Sequence, residues 1–239
     1  MKRPSLARLC LISAISAWLA PPPAAGSALQ VTPPKIEVAE RTLANGLRVL
    51  FYEDHSVPVA TVEVWYHVGS KDESAGRSGF AHLFEHLMFK GSANVLPEEH
   101  KDFLGSIGGR MNAGTSFDST QYYQTFPSHH LERILWMEAD RLRSLDVSQP
   151  NLTSERDVVK EERRQRVETP PFGRLFEVVL DNSYTTHPYR RLPVGSMADL
   201  DSAKLEWVQA FHGAYYAPNN AVLSIAGDFD SAEALALVK

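Results

Sequence analysis

Residues His82-Leu83-Phe84-Glu85-His86 decide how this chain is read. At 100° per residue, His82, Glu85 and His86 fall within an arc of roughly 100°, while Phe80, Leu83, Phe84, Leu87 and Met88 cover the opposite side. The pattern predicts a helix over residues 79–89, apolar enough to be buried, with one polar face. Two imidazoles and an acid buried without partners would cost several kcal/mol, and a bound cation removes that cost. Histidines one turn apart can hold Zn²⁺ at about 2.0–2.1 Å, and a carboxylate on the same face can take a proton from the metal's water. The competing reading is a solvated face on which Glu85 makes pairs worth about 0.2–0.5 kcal/mol each. The apolar flanks argue against it.

A catalytic zinc takes three protein ligands and keeps one position open, so a third ligand must come from elsewhere. Residues 153–168 read as a helix that begins near Thr153 or Ser154 and is stopped by Pro170-Pro171. On it Glu155, Val158, Val159 and Glu162 share one side, with Asp157, Lys160, Glu161 and Arg164 on the other. Carboxylates within an apolar stripe point to a metal or a hydrogen-bond network. That favours Glu162 or Glu155 as the further ligand and leaves Glu161 as a surface charge.

Outward from these helices the chain alternates between periods of two and 3.6. A hairpin is expected over residues 42–52 with Asn45-Gly46 at its turn, followed by a strand over 59–68. Pro97-Glu98-Glu99 opens a helix that ends before Gly108-Gly109, and strands over 110–115 and 121–126 flank a polar connection. From Ser128 the pattern is helical, with Leu131, Ile134, Leu135, Leu142 and Leu145 on one face. Helices at 173–181 and 205–216, a strand at 221–226 and a helix from 231 complete the order. With no internal repeat, this describes an α+β fold, a mostly antiparallel sheet packed against helices as a two-layer sandwich.

The 239 residues are 44% hydrophobic and 22% charged, with a formal net charge of −5 and no basic field for nucleic acid. Lys2, Arg3 and Arg8 precede an uncharged, mostly apolar run over residues 9–20, and small residues follow Pro21-Pro22-Pro23. The layout is that of a secretory signal peptide over 1–28, cleaved near Gly26 or Ala28. The run falls short of the roughly 20 residues a stable membrane span needs. A mitochondrial presequence is the alternative, since no acid precedes Glu37, but the arginines stop at Arg8. Export to the periplasm or beyond is therefore expected, with a linker over 29–40 and one catalytic domain over 41–239.

Cys10, the only cysteine, lies inside the leader, so the mature chain has no thiol chemistry. Ser78 lacks a Gly-x-Ser-x-Gly setting, which argues against a serine hydrolase. His129-His130 reads as a solvated pair and His187-Pro188-Tyr189 as a turn, while His55 and His100 have no partner in the pattern.

Residues 79–91, with His82-x-x-Glu85-His86, resemble the inverted zinc motif of the pitrilysin/insulinase metallopeptidase family. Glu155-Arg156-Asp157-Val158-Val159-Lys160-Glu161-Glu162 is similar to that family's segment with two acids seven residues apart, the second a zinc ligand. The resemblance, which covers residues 41–239, implies the family's N-terminal catalytic half with one zinc per chain. It implies that His82, His86 and Glu162 hold the metal, that Glu85 is the general base and that Glu155 supports the ligands. Gly108-Gly109-Arg110-Met111-Asn112-Ala113-Gly114-Thr115 is similar to the strand beside the zinc. There Asn112 and Ala113 would hold the substrate backbone by edge pairing, although unaided the stretch reads equally as an ordinary edge strand.

The implied activity is endopeptidase cleavage of peptides or unfolded polypeptide. Family members carry a second homologous half, so Lys239 reads as a truncation point and a C-terminal half or partner subunit as a missing complement. A non-catalytic partner subunit and a metal-binding module without turnover are the alternatives. The first of these sits poorly with an intact set of His82, Glu85, His86 and Glu162.

Overall fold

In the third strand of the sheet, β3 (Val59–Tyr66), Ala60, Val62, Val64 and Tyr66 are buried, while Trp65 on the other face is exposed. The same alternation runs through β2 (Arg48–Glu53), β5 (Thr120–Pro127) and β6 (Ala221–Gly227). It gives the sheet one apolar face and one wet face. This computed structural model describes residues 35–239. The leader expected over 1–28, Cys10 and the first part of the expected linker lie outside the described residues.

Six strands form one mixed sheet in the order β1-β2-β6-β3-β5-β4, with β1 over Ala39–Thr42 and β4 over Arg110–Thr115. Only β2 and β6 run parallel, and the other four pairings are antiparallel. The α+β class and the mostly antiparallel sheet are thus present. Gly46, with φ of 87°, turns the first hairpin, and Asn45 Oδ1 accepts from Leu47 N. That hairpin starts at Ala39, so its first strand reaches into the segment read as linker.

Eight α-helices follow among the described residues: α1 (Phe80–Leu87), α2 (Glu99–Ser106), α3 (Leu131–Ser144), α4 (Gln149–Arg163), α5 (Leu175–Ser183), α6 (Met197–Asp201), α7 (Leu205–Tyr215) and α8 (Ser231–Val238). Phe84 and Leu83 of α1, Ile134 of α3, Leu152 and Val159 of α4 and Val208 of α7 share one core with Val62, Phe126 and Ile225 of the sheet.

Two features of α4 differ from expectation. It begins at Gln149, with Pro150 in its first turn, rather than near Thr153. Proline is well suited there because its missing N–H has no helical partner to lose. The α-helix stops at Arg163 and widens into a π-type turn over Arg164–Glu168. The buried row is Leu152, Glu155, Val159 and Arg163, while Val158 is 46% exposed and does not join the apolar stripe. Rows spaced by three and four residues set that face. Helix α6 was not foreseen, although Ser196, whose Oγ accepts from Asp199 N, is an ordinary N-cap.

Candidate metal centre

Helix α1 is held by its apolar side: Phe80, Leu83, Phe84 and Leu87 are all buried. Each contributes roughly 1.5–3 kcal/mol, enough to carry imidazoles out of bulk water on the other side. Its start is fixed by Gly79, at φ of 92°, and by the buried Glu73, whose carboxylate accepts from Gly79 N at 3.0 Å and Ala81 N at 2.9 Å. Burial drives Glu73 up to about 8 even though these two N–H groups favour its charge.

On the cleft side of α1, His82 and His86 stand with ring centroids 4.8 Å apart. Glu162 reaches them from α4, with Oε1 3.6 Å from His82 Nε2 and Oε2 3.2 Å from His86 Nε2. One donor atom from each of the three lies within 4.8 Å of the others. Ligands about 2.0–2.1 Å from a tetrahedral ion stand about 3.3 Å apart, close to the distances of Glu162 from both rings, and two imidazoles with a carboxylate are a donor set that suits zinc. The second ring nitrogen of His86, Nδ1, faces Glu155 Oε2 at 3.4 Å, and Lys90 Nζ holds the other Glu155 oxygen at 3.0 Å. A carboxylate behind a histidine fixes the ring's orientation and leaves the opposite nitrogen free to ligate.

Charges in the cleft reflect this crowding. Burial lowers the pKa of His82. His86 is carried up to about 9 against the cost of burial, by its hydrogen bonds to Glu155 and Glu162. Glu162 is held low chiefly by its bond to His86, and Arg166 Nη1 lies 2.6 Å from its Oε1. Glu85, one residue before His86, is raised by burial, against the hydrogen bond that Thr115 Oγ1 donates to its Oε2 at 2.6 Å.

All seven residues named from the sequence, His82, Glu85, His86, Glu155, Glu162, Asn112 and Ala113, line one cleft of about 470 Å³. Asn112 and Ala113 lie on β4, the edge strand, which pairs on one side with β5 (Asn112 with Tyr123, Ala113 with Tyr122). Thr115, Lys90, Glu98 and Arg166 also line the cleft and were not foreseen. Thr115 lies two residues beyond Ala113 on the same strand face, but its partner Glu85 comes from α1, a contact that no local pattern shows. The remaining histidines lie outside this cleft: His55 Nδ1 pairs with Asp228, and the buried His100 bonds Gln124 Oε1 at 2.8 Å, so both have partners that the sequence pattern did not show.

A sheet edge open beside two imidazoles, an acid from a second helix and a further half-buried carboxylate defines a metallopeptidase type of scaffold. The chain belongs to the insulinase family, peptidase family M16, whose profile matches residues 48–193; a second profile, described as the family's inactive domain, matches 202–239.

Over 199 residues the chain is 37% identical to the zinc protease PqqE of Helicobacter pylori, covering 83% of this chain and 45% of that protein. It is 33% identical over 207 residues to a protein of Arabidopsis thaliana described as a probable mitochondrial-processing peptidase subunit beta, covering 85% and 38%. A solved protease from Helicobacter pylori superposes with a TM-score of 0.83 at 36% identity, covering 85% of this chain and 49% of that one. The first half of the periplasmic protease PqqL from Escherichia coli gives 0.76 at 27% identity, covering 84% and 45%. The chain thus spans about half the length of the curated relatives it matches. Among the described residues no helix is long and apolar enough to cross a membrane.

Proposed function

We propose that the protein is a zinc-dependent endopeptidase that cleaves peptides or extended polypeptide segments. The observation that carries this reading is the convergence of His82, His86 and Glu162 next to Glu85, with β4 open along the same cleft. When bound, zinc supplies Lewis acidity, which acidifies water and polarises a carbonyl. Glu85 accepts the proton of the attacking water and returns it to the leaving amine. Its burial suits that exchange, since a raised carboxyl pKa brings it closer to the acidity of the group it must reprotonate. Thr115 aims the Glu85 carboxylate, and Glu155 presents His86 with Nε2 toward the cleft. The free edge of β4 at Asn112 and Ala113, where alternate residues turn their backbone groups away from β5, can take an extended chain laid antiparallel or parallel to it.

The seven cleft residues all fall within the 48–193 match, whereas the inactive-domain match begins at 202. A non-catalytic partner subunit draws its one support from that later segment. Export to the periplasm is consistent with the PqqL likeness, and the Arabidopsis relative keeps mitochondria as the alternative. The relatives' greater length supports a complementing second half, in the same chain or as a separate subunit. The deciding assay is hydrolysis of a fluorogenic peptide with and without chelator. Cleavage that chelation abolishes and zinc restores supports the peptidase; zinc bound without turnover, even with the second half supplied, supports the module or partner reading.

A further inference from the structure

The two imidazoles and the third donor belong to different helices, α1 and α4, so their convergence depends on how far apart those helices are held. A metal site tolerates errors of only about 0.5 Å. Arg163 directly follows Glu162 and is 6% exposed. Its Nη1 donates to Gly195 O at 2.6 Å and its Nη2 to Glu177 Oε1 at 2.7 Å. Gly195, at φ of 73°, lies with its Cα against Gly79, the residue that opens α1. A Cβ on Gly79 would stand 2.9 Å from Val194 O and 3.0 Å from Gly195 Cα, and one on Gly195 would collide with the backbone of Ser78 and Gly79. This is backbone against backbone, with no flexible side chain to give way.

Residues 191–196 thus form a strap beside the start of α1, and they are tied twice more to the residues that lead into that helix. Ser196 N donates to Ser78 Oγ at 3.0 Å, and Arg191 Nη2 donates to the carbonyl of Glu73, whose carboxylate holds the first turn of α1. Lys160 of α4 also reaches this region through Asp201, but at an exposed carboxylate, where an ion pair contributes little.

We propose that Arg163 is a positioning residue for the metal centre, setting the spacing of Glu162 from His82 and His86 through the Gly195–Gly79 contact. This rests on the zinc reading above. A guanidinium suits the task because its rigid fork holds the strap and α5 at once, whereas an ammonium is a single point charge.

The test measures zinc affinity of the 239-residue chain by competition with a chromogenic chelator, together with the visible absorption of the Co²⁺ form. Arg163→Met and Gly195→Ala should weaken zinc binding about 10–100-fold, the range found when partners behind ligands are removed, and should alter the Co²⁺ spectrum. Arg163→Lys should fall between, and Asp201→Asn, which cuts the exposed tie of α4 to α6, should stay within about twofold of the unaltered chain. Should Arg163→Met fail to fold, Arg163→Lys and Gly195→Ala decide. Variants that lose stability without metal yet bind zinc as tightly as the unaltered chain, with the same Co²⁺ spectrum, overturn the proposal. An unaltered chain that binds no zinc overturns the metal reading itself, a result distinguishable because it precedes any substitution.

Discussion

Glu73 is a carboxyl group that the fold buries at the mouth of the helix that bears both histidines, and burial favours its neutral form. Its pKa rises from the ordinary 4.5 to about 8, so between those values the folded chain keeps a proton that the unfolded chain has lost. Its contribution is therefore fully present below about pH 4.5 and is lost as pH rises through about 8, at up to about 1.4 kcal/mol per unit. Glu73→Gln should remove that slope: urea melts of variant and unaltered chain between pH 5 and 9 should give a stability difference that shifts toward the variant as pH rises. A difference independent of pH would contradict it. Glu85 and His82 separate chemistry from binding. Glu85→Gln should keep zinc and lose peptide cleavage, His82→Ala should lose zinc, and a fully active Glu85→Gln would remove Glu85 from its role. At this scale helical periodicity puts His82, Glu85 and His86 on one face of α1 and Glu155 and Glu162 on one side of α4 without knowledge of the rest of the fold, while the choice of Glu162 as ligand comes from the family resemblance. Thr115 and Lys90 were not legible, because each finds its partner only through tertiary packing: Thr115 meets Glu85 across 30 residues, and Lys90 meets Glu155 across two helices.

At the scale of elements, α1 behaves as a wedge whose apolar side supplies the energy and whose polar side supplies the ligands. Leu83→Ala, at a position with no exposure, should destabilise the chain by about 2–5 kcal/mol in chemical denaturation. Edge strand β4 should show its function by hydrogen exchange. In the inactive Glu85→Gln variant with zinc and an uncleaved peptide, amides of 110–115 should gain protection, and unchanged exchange there would exclude edge pairing. Element order and type follow from local periodicity, which is why α1, β3 and β5 were readable. The start of α4 was missed because Gln149 and Pro150 lack the apolar period that the reading relied on, and only proline's preference for a first turn would have marked it. The placement of β6 between β2 and β3, parallel to one and antiparallel to the other, depends on pairing across more than 150 residues, for which the sequence carries no local signal.

For the whole molecule, the site lines a cleft between α1, α4 and β4, and the relatives it matches are about twice as long. A second half facing β4 would exclude water and hold the far side of an extended substrate. The 239-residue chain alone should therefore turn over peptides slowly and gain activity when the complementing half is supplied, whereas full activity in isolation would show that one half suffices. The central claim, that His82, His86 and Glu162 together grip one zinc ion, is tested most directly by zinc K-edge X-ray absorption on the loaded chain. The account predicts one zinc per chain with two imidazole nitrogens at about 2.0–2.1 Å and carboxylate or water oxygens completing the shell, and no bound zinc in His82→Ala. An all-oxygen shell, or two imidazoles that persist in that variant, would contradict it.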